Sequence, residues 1–433
     1  MSSDAIEQLL AGRWRDPDTG ALLGVPIRAI AIEPSLDGHH ADLVAALDLG
    51  RRLAVVSDPT TAAVLGERVE RALSAIGRVD CVRLPEHPHA DAGTAERVRQ
   101  ATGPADALVA VGSGTINDLC KYAAFRDGKP YVVFGTAPSM NGYCSATAAL
   151  TVDGVKRSLP ARPAAGVFLD LGILAAAPKR MICSGLGDSL CRPTAQADWL
   201  LSHLLRGTDY REAPFALLLP EEAALFGETA ALLAGDRAAM ARLARTLVLS
   251  GLGMVLIGSS HPASEGEHSI AHYAEMTGAA DLPERFHGEQ IGVTTLTMAR
   301  LQARVLGGTP EVRPTRVDRV EIEAHFGPRI GAACAAELAA KALSSAEADR
   351  INDAIAREWD RIRNRLAAVT PPIAVLERAL AAAGAPTTAA ALGWPAAFYR
   401  TAIRRARQIR NRFTFLDLAD DAGVLDAFAE AEG

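Results

Sequence analysis

Through residues 1–175, short β-branched runs alternate with apolar positions at helical spacing, the pattern of a parallel sheet covered by helices on both faces. Strands are predicted at 53–57, 79–84, 107–111 and 131–134, with a further one at 166–170. The first of these runs into Asp58-Pro59-Thr60, where Pro and Thr suit a helix start. An alternating run over 148–156 is broken by Asp153-Gly154, a strong two-residue turn signal, so one antiparallel hairpin is expected before the last strand. Beyond residue 171 the pattern changes. Ala, Leu, Glu and Arg dominate, and apolar residues recur at helical spacing through 215–233, 238–254, 351–369 and 373–383. The prediction is an α/β N-terminal Rossmann-like domain over 1–175 and an all-α C-terminal domain over 176–433, with the active site in the cleft between them.

Composition narrows the function classes. An apolar share of 49% and a charged share of 22% suit a globular chain, and the net charge of -6 is spread without a basic stripe, so no nucleic-acid partner is expected. Apolar runs such as 215–219 fall far short of the ~20 residues that span a bilayer, so no membrane role is expected. The six cysteines are scattered, with no C-x-x-C pair, and the N-terminal residues lack a basic segment followed by an apolar run; both point to the cytoplasm.

Two stretches read as ligand turns. Gly112-Ser113-Gly114-Thr115-Ile116-Asn117-Asp118 follows a strand and opens a helix, so the backbone can approach a pyrophosphate at the positive end of the helix dipole. It is not the G-x-G-x-x-G fingerprint, and in isolation it suits a tight turn as well. The loop from Gly135 to Tyr143 also follows a strand end. Asp58 is placed to accept from an adenosine ribose and to repel a 2′-phosphate, although Asp-Pro is also a generic turn.

The densest chemistry lies between His261 and His287, which holds four of the ten histidines. Ser264-Glu265-Gly266-Glu267 has capping-box spacing, predicting a helix that carries His268 and His272 one turn apart on one face. His287 would enter from the next helix. With one carboxylate these imidazoles form the N/N/O set of a zinc or iron site with an open position. Asp188, behind Gly185 and Gly187, is the preferred carboxylate, approaching at a helix start; Asp198 and Glu267 are rivals.

These segments together resemble the iron-containing alcohol dehydrogenase and dehydroquinate synthase-like superfamily, and within it the glycerol-1-phosphate dehydrogenases. The resemblance runs from about residue 53 to 293. It rests on V-G-S-G-T-I-N-D at 111–118, T-A-P-S-M-N-G-Y at 136–143, G-L-G-D-x-L at 185–190 with T-A-x-x-D-W at 194–199, H-P-A-S-E-G-E-H at 261–268 and H-G-E-Q-I-G-V at 287–293. It implies NAD or NADP bound by the 112–118 turn, by Thr136, Ala137, Pro138 and Ser139, and by Ser145. It implies a divalent metal on Asp188, His268 and His287, zinc foremost, with nickel and iron also found among such enzymes. Asn141 and His272 would touch a small polyol phosphate, most simply in the reduction of dihydroxyacetone phosphate to sn-glycerol 1-phosphate, and homodimers are common in the family. A dehydroquinate synthase-like cyclase and a non-catalytic ligand-binding protein on the same scaffold are the rival readings.

Two positions depart from the family pattern. Asn141 stands where relatives usually have Asp, replacing an anionic acceptor by an amide that accepts and donates. Cys191-Arg192-Pro193 replaces a Gly-Lys-Tyr-like stretch, and a proline inside a helix costs about 3 kcal/mol and kinks it, so a reshaped pocket wall is expected. Lys121, Arg157 and Arg192 are candidates to meet a substrate phosphate, although each suits a solvated surface charge better.

Overall fold

The computed structural model describes residues 4–152, 155–278 and 281–432. Six strands form one parallel sheet: β1 (Ala29–Glu33), β2 (Arg52–Ser57), β3 (Arg78–Arg83), β4 (Ala107–Gly112), β5 (Tyr131–Gly135) and β6 (Gly166–Asp170), in the order β1-β6-β5-β4-β2-β3. Every residue of β4, β5 and β6 is buried, which is why these strands read as continuous apolar runs rather than alternating ones. β1 was not anticipated. It is an edge strand of half-exposed Ala and Ile, and such a short run carries little periodic signal. The predicted hairpin is present as Thr147–Val152 paired antiparallel with Val155–Pro160; the Asp153-Gly154 turn itself lies outside the described residues.

From β2 the chain steps outward to β3 and then returns to the other side of β2 as β4, so the strand order reverses between β2 and β4. Open α/β sheets bind ligands outside the carboxyl ends of the strands at such a reversal. Val56 of β2 pairs with Ala110 of β4, which puts Asp58 and Gly112 at equivalent heights just past that edge.

After β6 every regular element among the described residues is helical. The chain divides into two compact units. One comprises Met1–Ser189 with Glu212–Ser259, the other Leu190–Arg211 with Ser260–Gly433. Helices over 212–259 thus join the sheet unit, so the division does not coincide with a boundary at residue 175. The predicted helix over 215–233 is three shorter ones, Ala213–Ala216, Leu219–Gly227 and Thr229–Leu233. Helix Arg237–Ile257 is long and apolar enough to cross a bilayer, and just over half of its most apolar window is buried within the structure. All six cysteines are free.

Three local expectations are corrected. Pro193 does not interrupt a helix: α2 (Lys179–Leu190) ends before Cys191, and α3 (Arg192–Arg206) begins with Pro193 in its first turn, where the missing N–H costs nothing. Asp188 lies near the C-terminal end of α2, not at a helix start. Ser264 does not cap the helix α4 (Gly266–Thr277); it is extended, and its hydroxyl accepts from Arg410 instead.

The loop after β5 is gripped by two glycines on helices of the sheet unit. A Cβ at Gly185 would lie 1.7 Å from the Pro138 carbonyl oxygen, and one at Gly251 would lie 2.7 Å from that of Asn141 and 2.9 Å from Cys144 Cβ. Only hydrogen fits at either place. Gly185→Ala must push the loop off its helix, a strain of about 1–3 kcal/mol. Urea titration should show a loss of that size; a variant as stable as the parent would disprove the close approach.

Candidate active site

At the end of β4 the chain turns into α1 (Gly114–Arg126). A Cβ on Gly112 would meet Ile116 Cβ at 2.6 Å, so the tight turn requires glycine. Ser113, the N-cap, makes no side-chain capping bond, so the first N–H groups of α1 keep their capacity for an anion. Asp58 caps the short helix after β2: its Oδ1 accepts from Thr61 N at 2.7 Å and Thr61 Oγ1 at 3.0 Å. No partner engages its Oδ2 among the described residues.

Asn117 and Asp118 brace the site's walls. Asn117 is buried and donates to Asp118 Oδ1 at 3.0 Å, while Asp118 Oδ2 accepts from Ala149 N of the hairpin at 3.0 Å. Between them and the loop lies Lys121, with no exposed surface. Its ammonium donates to Gly142 O at 2.7 Å, Thr147 O at 2.9 Å and Ser145 Oγ at 3.0 Å, with Asp118 Oδ1 at 3.3 Å. Burial lowers its pKa and Asp118 partly restores it. Lys121 is therefore a strut holding the loop, which corrects the expectation that it meets a phosphate. Ser145 is buried beside it and bonded within the same network.

The loop is ordered by its own backbone. Thr136 N donates to Gly112 O at 3.1 Å, Tyr143 Oη to Ala137 O at 2.7 Å, and Ser184 Oγ to Ser139 O at 3.0 Å. Asn141 N donates to Asp188 Oδ2 at 2.8 Å, while its Nδ2 donates to Ser250 Oγ at 3.3 Å. Both side chains named for the substrate and metal in this unit are thus oriented by one loop residue.

In the helical unit three imidazoles converge. His268 and His272 come from α4 and His287 is the first residue of α5 (His287–Leu306). Their ring centroids lie 5.2 Å (His268 and His287), 5.7 Å (His268 and His272) and 5.9 Å (His272 and His287) apart. Each of the two expected ligands has a carboxylate at Nδ1: Glu267 Oε1 at 2.9 Å from His268, and Glu275 Oε1 at 3.3 Å from His287. A carboxylate at Nδ1 keeps the proton there and makes Nε2 the lone-pair nitrogen, as behind metal-bound histidines. Burial pushes the Glu267 carboxyl up, but His268 and the Glu265 N–H together hold it below its ordinary value, so it is an anion. His272 is driven well below the ordinary histidine range by burial, so it is neutral.

The rival ligands have other tasks. Asp198 is fully buried and accepts from Gly266 N at 3.0 Å and Phe415 N at 2.9 Å, and burial together with Glu267 pushes its carboxyl well above the usual range. Glu267 serves His268. Cys191 Sγ, a Glu267 oxygen and a His268 nitrogen also lie within 4.8 Å of one another. His261 stands apart, bonded to Glu265 at 2.6 Å and stacked on Trp199. Sequence reasoning missed Glu275; its signal was an acid three residues after His272, on the same helical face.

The profile of the iron-containing alcohol dehydrogenase family matches residues 31–178. A glycerol-1-phosphate dehydrogenase, NAD(P)+-linked, from Bacillus subtilis (strain 168) is 30% identical over 323 residues, covering 72% of this chain and 80% of that protein. One of the same name from Pyrococcus furiosus is 32% identical over 279 residues, covering 63% and 78%. Among solved structures, glycerol dehydrogenase from Schizosaccharomyces pombe superposes with a TM-score of 0.60 at 16% identity, covering 94% of this chain and 90% of that one, which supports the fold. On this shared identity and length, the chain belongs to the glycerol-1-phosphate dehydrogenases of the iron-containing alcohol dehydrogenase family.

Proposed function

We propose that this protein is a metal-dependent, NAD(P)-linked dehydrogenase that interconverts dihydroxyacetone phosphate and sn-glycerol 1-phosphate. The activity comes from its relatives' names. The observation that carries the chemistry is the pair of imidazoles whose Nδ1 atoms are each held by a carboxylate.

That donor set fits a divalent metal. We assign it to His268 and His287 through Nε2, with Asp188 as third ligand, and N/N/O donors favour zinc. A bound ion would act as a Lewis acid on the reacting oxygen and stabilise the charge that develops there. The chain's own residues do the rest. Asn141, committed to Ser250 through Nδ2, keeps Oδ1 as the acceptor for a substrate hydroxyl. Neutral His272 has a ring nitrogen able to take the hydroxyl proton on oxidation and return it on reduction.

A dinucleotide would be held at the sheet's order reversal. The backbone of Gly112, Ser113, Gly114 and Thr115 at the start of α1 would take its pyrophosphate, with Thr136, Ala137, Pro138 and Ser139 supplying the loop beside it. Asn117, Asp118 and Ser145 act by holding these walls. Asp58 offers Oδ2 to the adenosine ribose, and its charge disfavours a 2′-phosphate, so NAD(H) is the preferred coenzyme.

The activity is tested by following NADH absorbance with dihydroxyacetone phosphate and with dihydroxyacetone, and by identifying the product; absence of turnover on both with metal bound would exclude a dehydrogenase. His268→Ala and His287→Ala should each lose the metal and turnover together, read by elemental analysis and assay on one sample. A fully active, metal-free variant would refute the ligand set. Glu267→Gln and Glu275→Gln should weaken metal affinity by about 10–100-fold while added metal restores much of the rate. Unchanged affinity in both would mean that the carboxylates do not orient the histidines.

A further inference from the structure

Of the cations that the sequence offered for a substrate phosphate, two are committed elsewhere. Lys121 is the loop strut described above, Arg192 donates to Gln196 Oε1 at 2.8 Å along its own helix, and Arg157 is exposed on the hairpin. A different arginine is bonded to the residues just ahead of the helix that carries two of the histidines. Arg410 donates through Nη1 to Ser264 Oγ at 2.9 Å and Ser264 O at 3.3 Å, and through Nη2 to Ser260 Oγ at 3.4 Å. It has no carboxylate partner among the described residues. Its neighbours do: Arg407 pairs with Asp417, Asp420 and Asp421, and Arg412 pairs with Glu265 at 3.1 Å.

The carboxylates near Arg410, those of Glu265, Glu267 and Glu337, are not bonded to it and offset its burial only in part. Burial, followed by the adjacent Arg412, pushes its pKa down to about 9. A guanidinium so placed gains from an incoming anion, and its planar fork suits two phosphate oxygens. Ser264 lies two residues before Gly266, where α4 begins, so the guanidinium sits at the N-terminal end of the helix that carries His268 and His272. The segment is also tied to its surroundings. Arg412 O accepts from the buried Lys341 ammonium at 2.7 Å, Lys341 pairs with Asp417 at 2.8 Å, and Phe415 N is held by Asp198.

We propose that Arg410, with the hydroxyls of Ser260 and Ser264, binds the phosphate of the substrate, a phosphate monoester dianion. This rests on the dehydrogenase reading above and supplies its missing specificity element. The same chemistry is carried by the 2′-phosphate of NADPH, and the test separates the two.

The measurement is kcat/KM for dihydroxyacetone phosphate divided by that for dihydroxyacetone, in metal-loaded parent, Arg410→Met and Arg410→Lys. Losing the charge-assisted fork should lower this ratio by about 100-fold in Arg410→Met. The fall should be smaller in Arg410→Lys, which keeps the charge but not the fork and covers the case in which Arg410→Met does not fold. A purely structural role would lower both rates together and leave the ratio alone, and that outcome overturns the assignment. Inorganic phosphate should compete with dihydroxyacetone phosphate in the parent and about 100-fold more weakly in Arg410→Met. Loss of NADPH binding with NADH binding kept would move the anion to the coenzyme and overturn it too. A parent enzyme with no preference for the phosphorylated ketone would instead sink the polyol-phosphate substrate proposed above, whereas a preference that survives in both variants would remove only Arg410.

Discussion

Glu267 is an ionised carboxylate with no exposed surface, and the helical unit is organised around keeping it so. An unpaired buried charge is costly, and here one oxygen takes both the His268 Nδ1 proton and the Glu265 N–H. The consequences spread outward. His268 is fixed in one tautomer, and the first turn of α4 is set. Asp198, close enough to feel that charge, is pushed toward its neutral form while its oxygens tie Gly266 to Phe415. The acid that orients a histidine thereby also fixes how the C-terminal segment with Arg410 and Arg412 returns to the start of α4.

The sheet unit is organised by close approach of backbone to backbone. Gly112 permits a turn that no other residue would, and Gly185 and Gly251 let two helices press on the loop after β5. Lys121 supplies from below the donors that the loop carbonyls need. In this unit one loop residue, Asn141, holds the Asp188 carboxylate by its N–H, so loop position and carboxylate position are one variable.

Much of this was legible in the sequence, and the reasons are specific. β4 and β5 are buried on both faces, so their apolar runs are unambiguous, whereas β1 is a half-exposed edge and left no trace. His268 and His272 were readable because four-residue spacing is local. The capping box at Ser264 failed because Arg410, almost 150 residues away, takes that hydroxyl. Pro193 misled for a related reason: whether a proline breaks a helix or begins one depends on where the previous helix stops. The use of Lys121 and the serine partners of Arg410 are facts about residues distant in sequence, which no periodicity encodes, and the adjacency of Glu267 to His268 did not by itself say that the acid would hold the ring.

Cys144 is sealed in the loop that Gly251 presses upon, its thiol raised to about 12 by burial and touched by no solvent. A thiol in that state neither ionises nor meets a reagent while the loop is seated. Its modification therefore requires the loop to lift away from helix Arg237–Ile257. The protein carries a built-in reporter of that motion, and the pace at which an alkylating agent consumes this one sulfur would time the breathing of that loop.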